Sequence, residues 1–478
     1  MHLSPHLPSL VVARLLARAA LLALCAACAP AAFAWSNHTL GAWPALAGMP
    51  ELHELAPVRV ESLETFLAAE AANLEAVLDA EERWAREHVP VYPPRPDALR
   101  FTAAGAAGPG ELQSRFIAAV RIAPDSRLGL FLQRLPGDPP DGRAGVPARN
   151  VTTLARDHAV ESARYAALRE GEAVSSLAVL ATACDEPDYG LDIGLWEDNG
   201  TPQGRLYGFG KQPFGNPALD FGSQAPFHMG FYHEAAIIYA AAGFLKRTYP
   251  EYRIHLWKTL ALHALRTGHD YWGWRFAGWA LHYLQDLTQP YHARVLPGVG
   301  TARMLWINAL HMAGWPRARD QAVTLVSNRH LALENFARTA MISGGREIRG
   351  AGPLVEALAG RTAVGGQTAY DDDSPRAVVS RHAADAADEV DRIIAASLPA
   401  RYVDDPGFEF GVAEDGIDLY ASLGRDDPAK RDAMMRMLAP LMAEFGTHTR
   451  AFVRALLADP GLSDAMSRRG ARSPPGSS

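Results

Sequence analysis

An all-α architecture is predicted by three observations. Apolar residues recur at three- and four-residue steps along most of the chain, alternating strand-like runs are scarce, and the stretches between are rich in Gly and Pro. The chain has 478 residues, 48% hydrophobic and 21% charged, which is too apolar for disorder. Three cysteines are too few for a disulfide framework. The length allows two or three domains, but no linker divides the chain cleanly and no internal repeat is visible. A formal charge of −7 gives no basic footprint for duplex binding, so nucleic acid is not a favoured partner.

Taken in order, residues 1–34 read as a signal peptide. Arg14 and Arg18 precede an uncharged stretch, Ala19 to Ala34, which ends in Ala32-Phe33-Ala34 and is shorter than a spanning helix. Cleavage after Ala34 predicts a secreted or periplasmic protein that begins at Trp35, carries a charge of −9 once Arg14 and Arg18 are lost, and keeps only Cys184. From Ser62 to His88 the residues Leu63, Phe66, Leu67, Leu74, Val77, Leu78 and Trp84 predict a helix. Arg115–Ile122 and Leu128–Leu132 are the two modest strand candidates. Pro124–Asn150 and Asp185–Met229 read as loops, the second long enough to be functional. Helical patterns follow over Glu234–Lys246, Tyr252–Leu287, Leu331 into the 340s, Ala377–Ser397 and Ala429–Leu457. Ser467–Ser478 reads as a disordered tail. The domain reading is a catalytic domain over 35–350, with a helical extension over 351–466 packed on it.

The densest set of ligand-type residues is His282-Tyr-Leu-Gln-Asp286-Leu-Thr-Gln-Pro290-Tyr-His292. On a helix, His282 and Asp286 stand one turn apart on one face, a usual way to offer two metal ligands. Pro290 cannot continue that helix, so His292 leaves it at a new angle and is free to face a different ion. A second pair, His330 and Glu334, repeats the four-residue spacing. Each pair alone is more often a solvated helix pair, and His282 alone reads as a buried, satisfied histidine. Their combination with an N-terminal Trp carries the chemistry. His263, His269 and His311 read as packing or solvent-facing residues, the Trp272, Trp274 and Trp279 group as core, Asp371–Asp373 as a polar loop, and Cys184 as a small buried residue.

These motifs resemble the zinc-dependent phospholipase C and S1/P1 nuclease superfamily, whose members are exported, mostly helical, begin at a Trp after signal cleavage and hold three zinc ions. Its His-x-x-x-Asp then Pro-x-His signature corresponds to His282, Asp286, Pro290 and His292. Its His-x-x-x-Glu-Asn-Phe corresponds to His330, Glu334, Asn335 and Phe336. Pro187-Asp188-Tyr189 matches the Asp-Tyr pair of the phospholipase branch. The resemblance implies a multi-helix phospholipase C/P1 nuclease-like bundle with long loop insertions and three Zn2+ ions. One ion is held by Asp188, a histidine near 228, His282 and Asp286, and a second by His292, His330 and Glu334. The third takes the amine and carbonyl of Trp35, a nearby His, and Asp286 as a bridge. A free α-amino group loses its proton near pH ~8 and can then ligate, which makes cleavage part of site assembly. For the histidine near Trp35, His38 is closest, with His53 as the substitute. Near 228, His228 is chosen over His233 because it ends the loop before the Glu234 run.

The implied activity is hydrolysis of phosphatidylcholine-type phospholipids to diacylglycerol and a phosphorylated head group, with Asp188 orienting or deprotonating the attacking water. Tyr189 is then expected to help bind a choline head group, since an aromatic face beside a quaternary ammonium is worth roughly 0.5–2 kcal/mol. The implied partner is a membrane or micelle surface, approached through the aromatic loop Trp196–Phe227 unless that loop packs over the site. No obligate protein partner is evident. The other readings are an S1/P1-type single-strand nuclease and a helical zinc protein without catalysis.

Overall fold

Caps fix the ends of the first helices. Asn37 Oδ1 accepts the Leu40 N–H at 3.1 Å to open α1 (His38–Leu46), and Ser62 Oγ accepts that of Thr65 at 3.2 Å to open α2 (Leu63–His88). The structure is a computed structural model that describes residues 35–216, 219–343, 352–360, 369–413 and 416–472. It is mostly helical. The signal-peptide reading of 1–34 and the last residues of the tail, 473–478, lie outside the described residues. The first part of that tail is helical, because a terminal helix runs over Pro460–Arg472.

Several local expectations are corrected. Arg115–Ile122 is not a strand; it lies largely in α3 (Pro109–Val120), whose buried Phe116, Ile117 and Val120 follow helical spacing. The Leu128–Leu132 strand lies slightly later, as β2 (Phe131–Arg134). In a small antiparallel sheet, β4 (Arg164–Ala167) runs between β2 and β3 (Gly145–Val146). A second antiparallel pair joins β1 (Val58–Arg59) to β5 (Ala173–Val174). The Tyr252–Leu287 pattern is two helices, α6 (Pro250–Thr267) and α7 (Asp270–Asp286), because Gly268 adopts φ 94° and ends the first. The Glu234–Lys246 run is also broken, into a short helix Ala236–Ala241 and a 3-10 turn Gly243–Lys246.

The axis of the molecule is α7, whose residues Tyr271 to Asp286 are all buried. It packs against α6, against α4 (Ser176–Ala183) and against the long C-terminal helix α14 (Pro428–Leu457). Trp272, Trp274 and Trp279 lie in its core, as expected, and truncating any one is expected to cost about 3–5 kcal/mol. Gly278 sets the distance to α4. A Cβ there would lie 2.4 Å from the Ala183 Cβ and 2.7 Å from the Leu180 carbonyl oxygen. Gly278→Ala is therefore expected to push α4 and α7 apart at about 1–3 kcal/mol. A denaturation midpoint unchanged by this substitution would refute the close-approach argument.

Between α4 and α7 come the irregular residues of Asp185–Met229, which contain 3-10 turns at Glu186–Tyr189 and Asp220–Gln224 and the short helix α5 (Ala225–His228). After α7 the chain turns into α8 (Pro290–Ala293), then α9 (Thr301–Met312) and α10 (Arg317–Ser343). The C-terminal helices α11 (Pro353–Leu358), α12 (Ser380–Ser397), α13 (Leu419–Asp426) and α14 share their core with the earlier ones. Leu358, Leu438, Met442 and Phe445 belong to one apolar cluster with Trp35, Leu40, Leu333 and Phe336. Among the described residues no helix is long and apolar enough to cross a membrane.

Candidate metal centre

Four elements converge on one buried point. α7 presents His282 Nε2 and Asp286 Oδ2 3.4 Å apart on one face. The 3-10 turn after α4 brings Asp188, whose Oδ1 lies 3.6 Å from His282 Nε2 and from His228 Nδ1 at the end of α5. The first turn of α1 adds His38, with Nε2 3.3 Å from Asp286 Oδ1 and 4.0 Å from Asp188 Oδ2. All five side chains are buried. A second cluster adjoins the first: His292 on α8 with His330 and Glu334 on α10, whose Nε2 and Oε1 are 2.6 Å apart.

The outer hydrogen bonds orient these rings in one sense. His282 donates Nδ1–H to the Cys184 carbonyl at 2.7 Å, His38 to Gln285 Oε1 at 2.9 Å, and His292 to the His228 carbonyl at 3.0 Å. A carbonyl can only accept, so Nδ1 carries the proton and the Nε2 lone pair is left for the cluster. This is the arrangement that holds a metal-binding imidazole in place. His228 is reversed: its Nδ1 lies 2.9 Å from Asp286 Oδ2, while its Nε2 points at Asp192 Oδ2, 3.5 Å away. Asp192 is itself held by Arg253 at 2.5 Å and by the Tyr283 hydroxyl at 2.6 Å. His228 also ties the two clusters together, its ring in one and its carbonyl holding His292 of the other.

The electrostatics fit a cation. Burial pushes the Asp188 carboxyl well above its ordinary range. Burial acts the same way on Asp286, but the charges of His282 and His228 outweigh it and hold that carboxyl well below the usual range. Burial disfavours a charge on His228, yet Asp286 raises the imidazole further, up to about 10. Burial lowers His282 well below its usual value, leaving it neutral. His38 Nε2 and Asp286 Oδ1 face each other without hydrogen-bond geometry. Two buried carboxylates facing the imidazole nitrogens of His38, His228 and His282 form a donor set that divalent metal ions fit, a cation taking the place of the proton on His228. Buried groups able to hold a metal ion are thus present at His38, Asp188 and His282, at His228, His282 and Asp286, and at His292, His330 and Glu334.

The alternatives fall elsewhere. His53 binds the Ala47 carbonyl at the surface, and His233 binds the Arg376 carbonyl and Ser380, away from the cluster. The Trp35 side chain is buried near the site, donating Nε1–H to Thr288 Oγ1 at 3.0 Å and meeting Phe445 edge-on. His263 and His269 bond to Glu70 and Glu61 respectively. Cys184 is buried. A further grouping, His382, Glu444 and His448, lies in a groove between α12 and α14; the hydrogen bond from His448, reinforced by one from His382, holds the Glu444 carboxyl down to about 2.

One expectation is corrected. Tyr189 does not face the cluster as a head-group platform. Its ring packs with Phe131 and Tyr165, is 5% exposed, and its hydroxyl donates to Asp185 at 2.9 Å. Tyr189 thus positions Asp185, whose Oδ1 accepts the His38 N–H at 2.6 Å. The aromatic loop takes the other course open to it and packs inward, with Trp196, Phe209, Phe214, Phe221 and Phe227 all buried.

Sequence reading missed Asp185, Asp192, Gln285, Gln224, Phe445 and Thr449. Gln224 donates to Asp188 at 3.2 Å, and Gln285 donates to Thr449 at 3.0 Å while holding His38. The only available signal was the spacing of Asp185, Asp188 and Asp192 along the Asp-Tyr segment, and α14 gave none. No family model, curated protein or solved structure matches the chain.

Proposed function

We propose that the chain is an exported zinc-dependent phosphodiesterase of the phospholipase C type, as its resemblance to that superfamily suggests. The observation that supports this most directly is the outer hydrogen bonding. Three histidines spend Nδ1–H on carbonyl oxygens, and His38 and His282 turn Nε2 toward the buried Asp286, in two clusters joined through His228. A solvated helix pair needs no such arrangement.

His38, Asp188, His228, His282 and Asp286 would share two ions with Trp35, and His292, His330 and Glu334 would hold the third. Bound there, zinc would supply positive charge to a phosphodiester under attack and would acidify a water to near pH ~7. The protein's own groups do the rest. Asp188 would orient the attacking water or accept its proton at Oδ2, the oxygen opposite its Gln224 hydrogen bond. Asp192 fixes the His228 ring, and Asp185 fixes the start of α1. The surrounding apolar core excludes water from the cluster. A phospholipid substrate is favoured over a nucleic acid by the net charge of −7, which gives no basic footprint for a phosphate backbone.

The test is hydrolysis by the mature chain from Trp35 on phosphatidylcholine micelles and on single-stranded DNA, with metal content measured alongside. Chelation is expected to abolish diacylglycerol and phosphocholine release, and zinc to restore it at about three ions per chain. Nucleotide release alone would shift the protein to the nuclease reading. Bound zinc with neither activity would leave the non-catalytic zinc module.

A further inference from the structure

The burial of the aromatic loop leaves open which surface meets a lipid aggregate. Among the described residues the exposed large apolar side chains are Val91, Leu206, Ile237, Trp306, Met312, Trp315 and Val412. Four of these seven lie on two neighbouring segments. Trp306 is 63% exposed and Met312 43% on α9, Trp315 is 66% exposed just after it, and Ile237 is 54% exposed on the short helix Ala236–Ala241. The two segments wall one cavity of about 850 Å³ including its mouth, in which Ile238, Leu245, Met304 and Ile307 meet. Leu296, four residues beyond His292, lines the same cavity.

The charge pattern matches the exposure. The chain has 53 acidic residues, yet none falls in Ala235–Arg247 or in Tyr291–Arg319. The exposed charges within these segments are Lys246, Arg303 and Arg317. The flanking Glu234 and Asp320 are ion-paired with Arg294 and Arg319, so the exposed charge within these segments is cationic around a centre of tryptophan, methionine and isoleucine. Indole rings sit favourably at the level of lipid head groups, and flanking arginines pair with phosphates. A second protein surface would be expected to bury its tryptophans among polar rim contacts; here uncharged alanine and glycine surround them, at Ala302, Ala309, Ala313 and Gly314.

We propose that the face formed by α9, Trp315 and the Ala236–Ala241 helix docks on a phospholipid surface carrying anionic head groups. Trp306 and Trp315 enter the interface, and Arg303, Arg317 and Lys246 contact phosphates. The purpose of this docking rests on the phospholipase reading, since it would deliver lipid beside the cluster held by His292, His330 and Glu334.

The test is flotation of the mature chain with vesicles of phosphatidylcholine containing a minority of phosphatidylglycerol. Wild type is expected to float with the lipid. Trp306→Ser/Trp315→Ser is expected to lower the bound fraction at least about tenfold. Arg303→Glu/Arg317→Glu is expected to bind less and to lose the salt sensitivity of wild type. Hydrolysis of a short-chain phosphatidylcholine below its micelle concentration is expected to be unchanged in both variants. Failure of wild type to float, or equal flotation of wild type and the tryptophan variant, overturns the proposal. So does a wild-type dimer that the tryptophan variant dissolves without any vesicle binding, which would make a second copy the occupant. Loss of flotation in the variant while neither protein hydrolyses the soluble lipid would uphold the docking face and refute the phospholipase reading.

Discussion

Asp286→Asn is expected to lose at least one metal ion per chain and to lower hydrolysis by roughly 10³-fold or more. Asp286 is the carboxylate on which the first cluster closes. Its two oxygens reach His38 at 3.3 Å, His228 at 2.9 Å and His282 at 3.4 Å. The amide keeps the size of the side chain and removes the charge that favours His228⁺ and any bound cation. Elemental analysis beside the phosphatidylcholine assay reads both effects. An Asn variant that kept its full metal complement and its rate would show that the cluster is a structural hydrogen-bond network.

Arg253→Met is expected to cost about 3–5 kcal/mol of stability, because it removes the charged partner of the buried Asp192. In the native fold Arg253 and Asp192 are wholly buried, and Arg253 also donates to the Val120 and Arg121 carbonyls at 2.8 Å each. Burial raises the Asp192 carboxyl, but Arg253 outweighs it and holds the group below its ordinary value. A carboxyl lowered in the fold adds stability that is present above its unfolded value and is lost as pH falls through its folded value. Without Arg253 the Asp192 carboxyl keeps only Tyr283 and His228 against its burial and rises, so the gap between wild type and variant is expected to widen as pH rises from acid to neutral. Denaturation midpoints at pH ~5 and ~8 test the sign. Adding Asp192→Asn to the arginine variant is expected to recover part of the loss. No recovery would place the damage in the lost carbonyl contacts.

The site was more legible than its supports for a plain reason. Metal ligation favours a few residue types at helical spacing, so His282 with Asp286, and His330 with Glu334, stand out in the sequence. Pro290 likewise announced that His292 would leave the helix. Supports such as Gln285, Thr449, Gln224 and Asp192 are ordinary polar residues whose role depends on which backbone lies opposite. Arg115–Ile122 was misread because a short apolar run fits strand and helix alike until its buried face is known.

The sequence by itself determined the all-α class and the pairing of ligand-type residues within α7 and within α10, because both follow from local periodicity. Only the tertiary structure decided that His38 and His228 point into the cluster while His53 and His233 lie outside it. It also turned Tyr189 away from the cluster toward Asp185, buried the aromatic loop, and brought Phe445 and Thr449 of α14 beside Trp35 and Gln285. Spacing along one helix is fixed by 3.6 residues per turn, whereas contacts across 100 or more residues depend on how whole helices pack. Here that packing includes the Gly278 contact with α4, whose tightness no local pattern encodes.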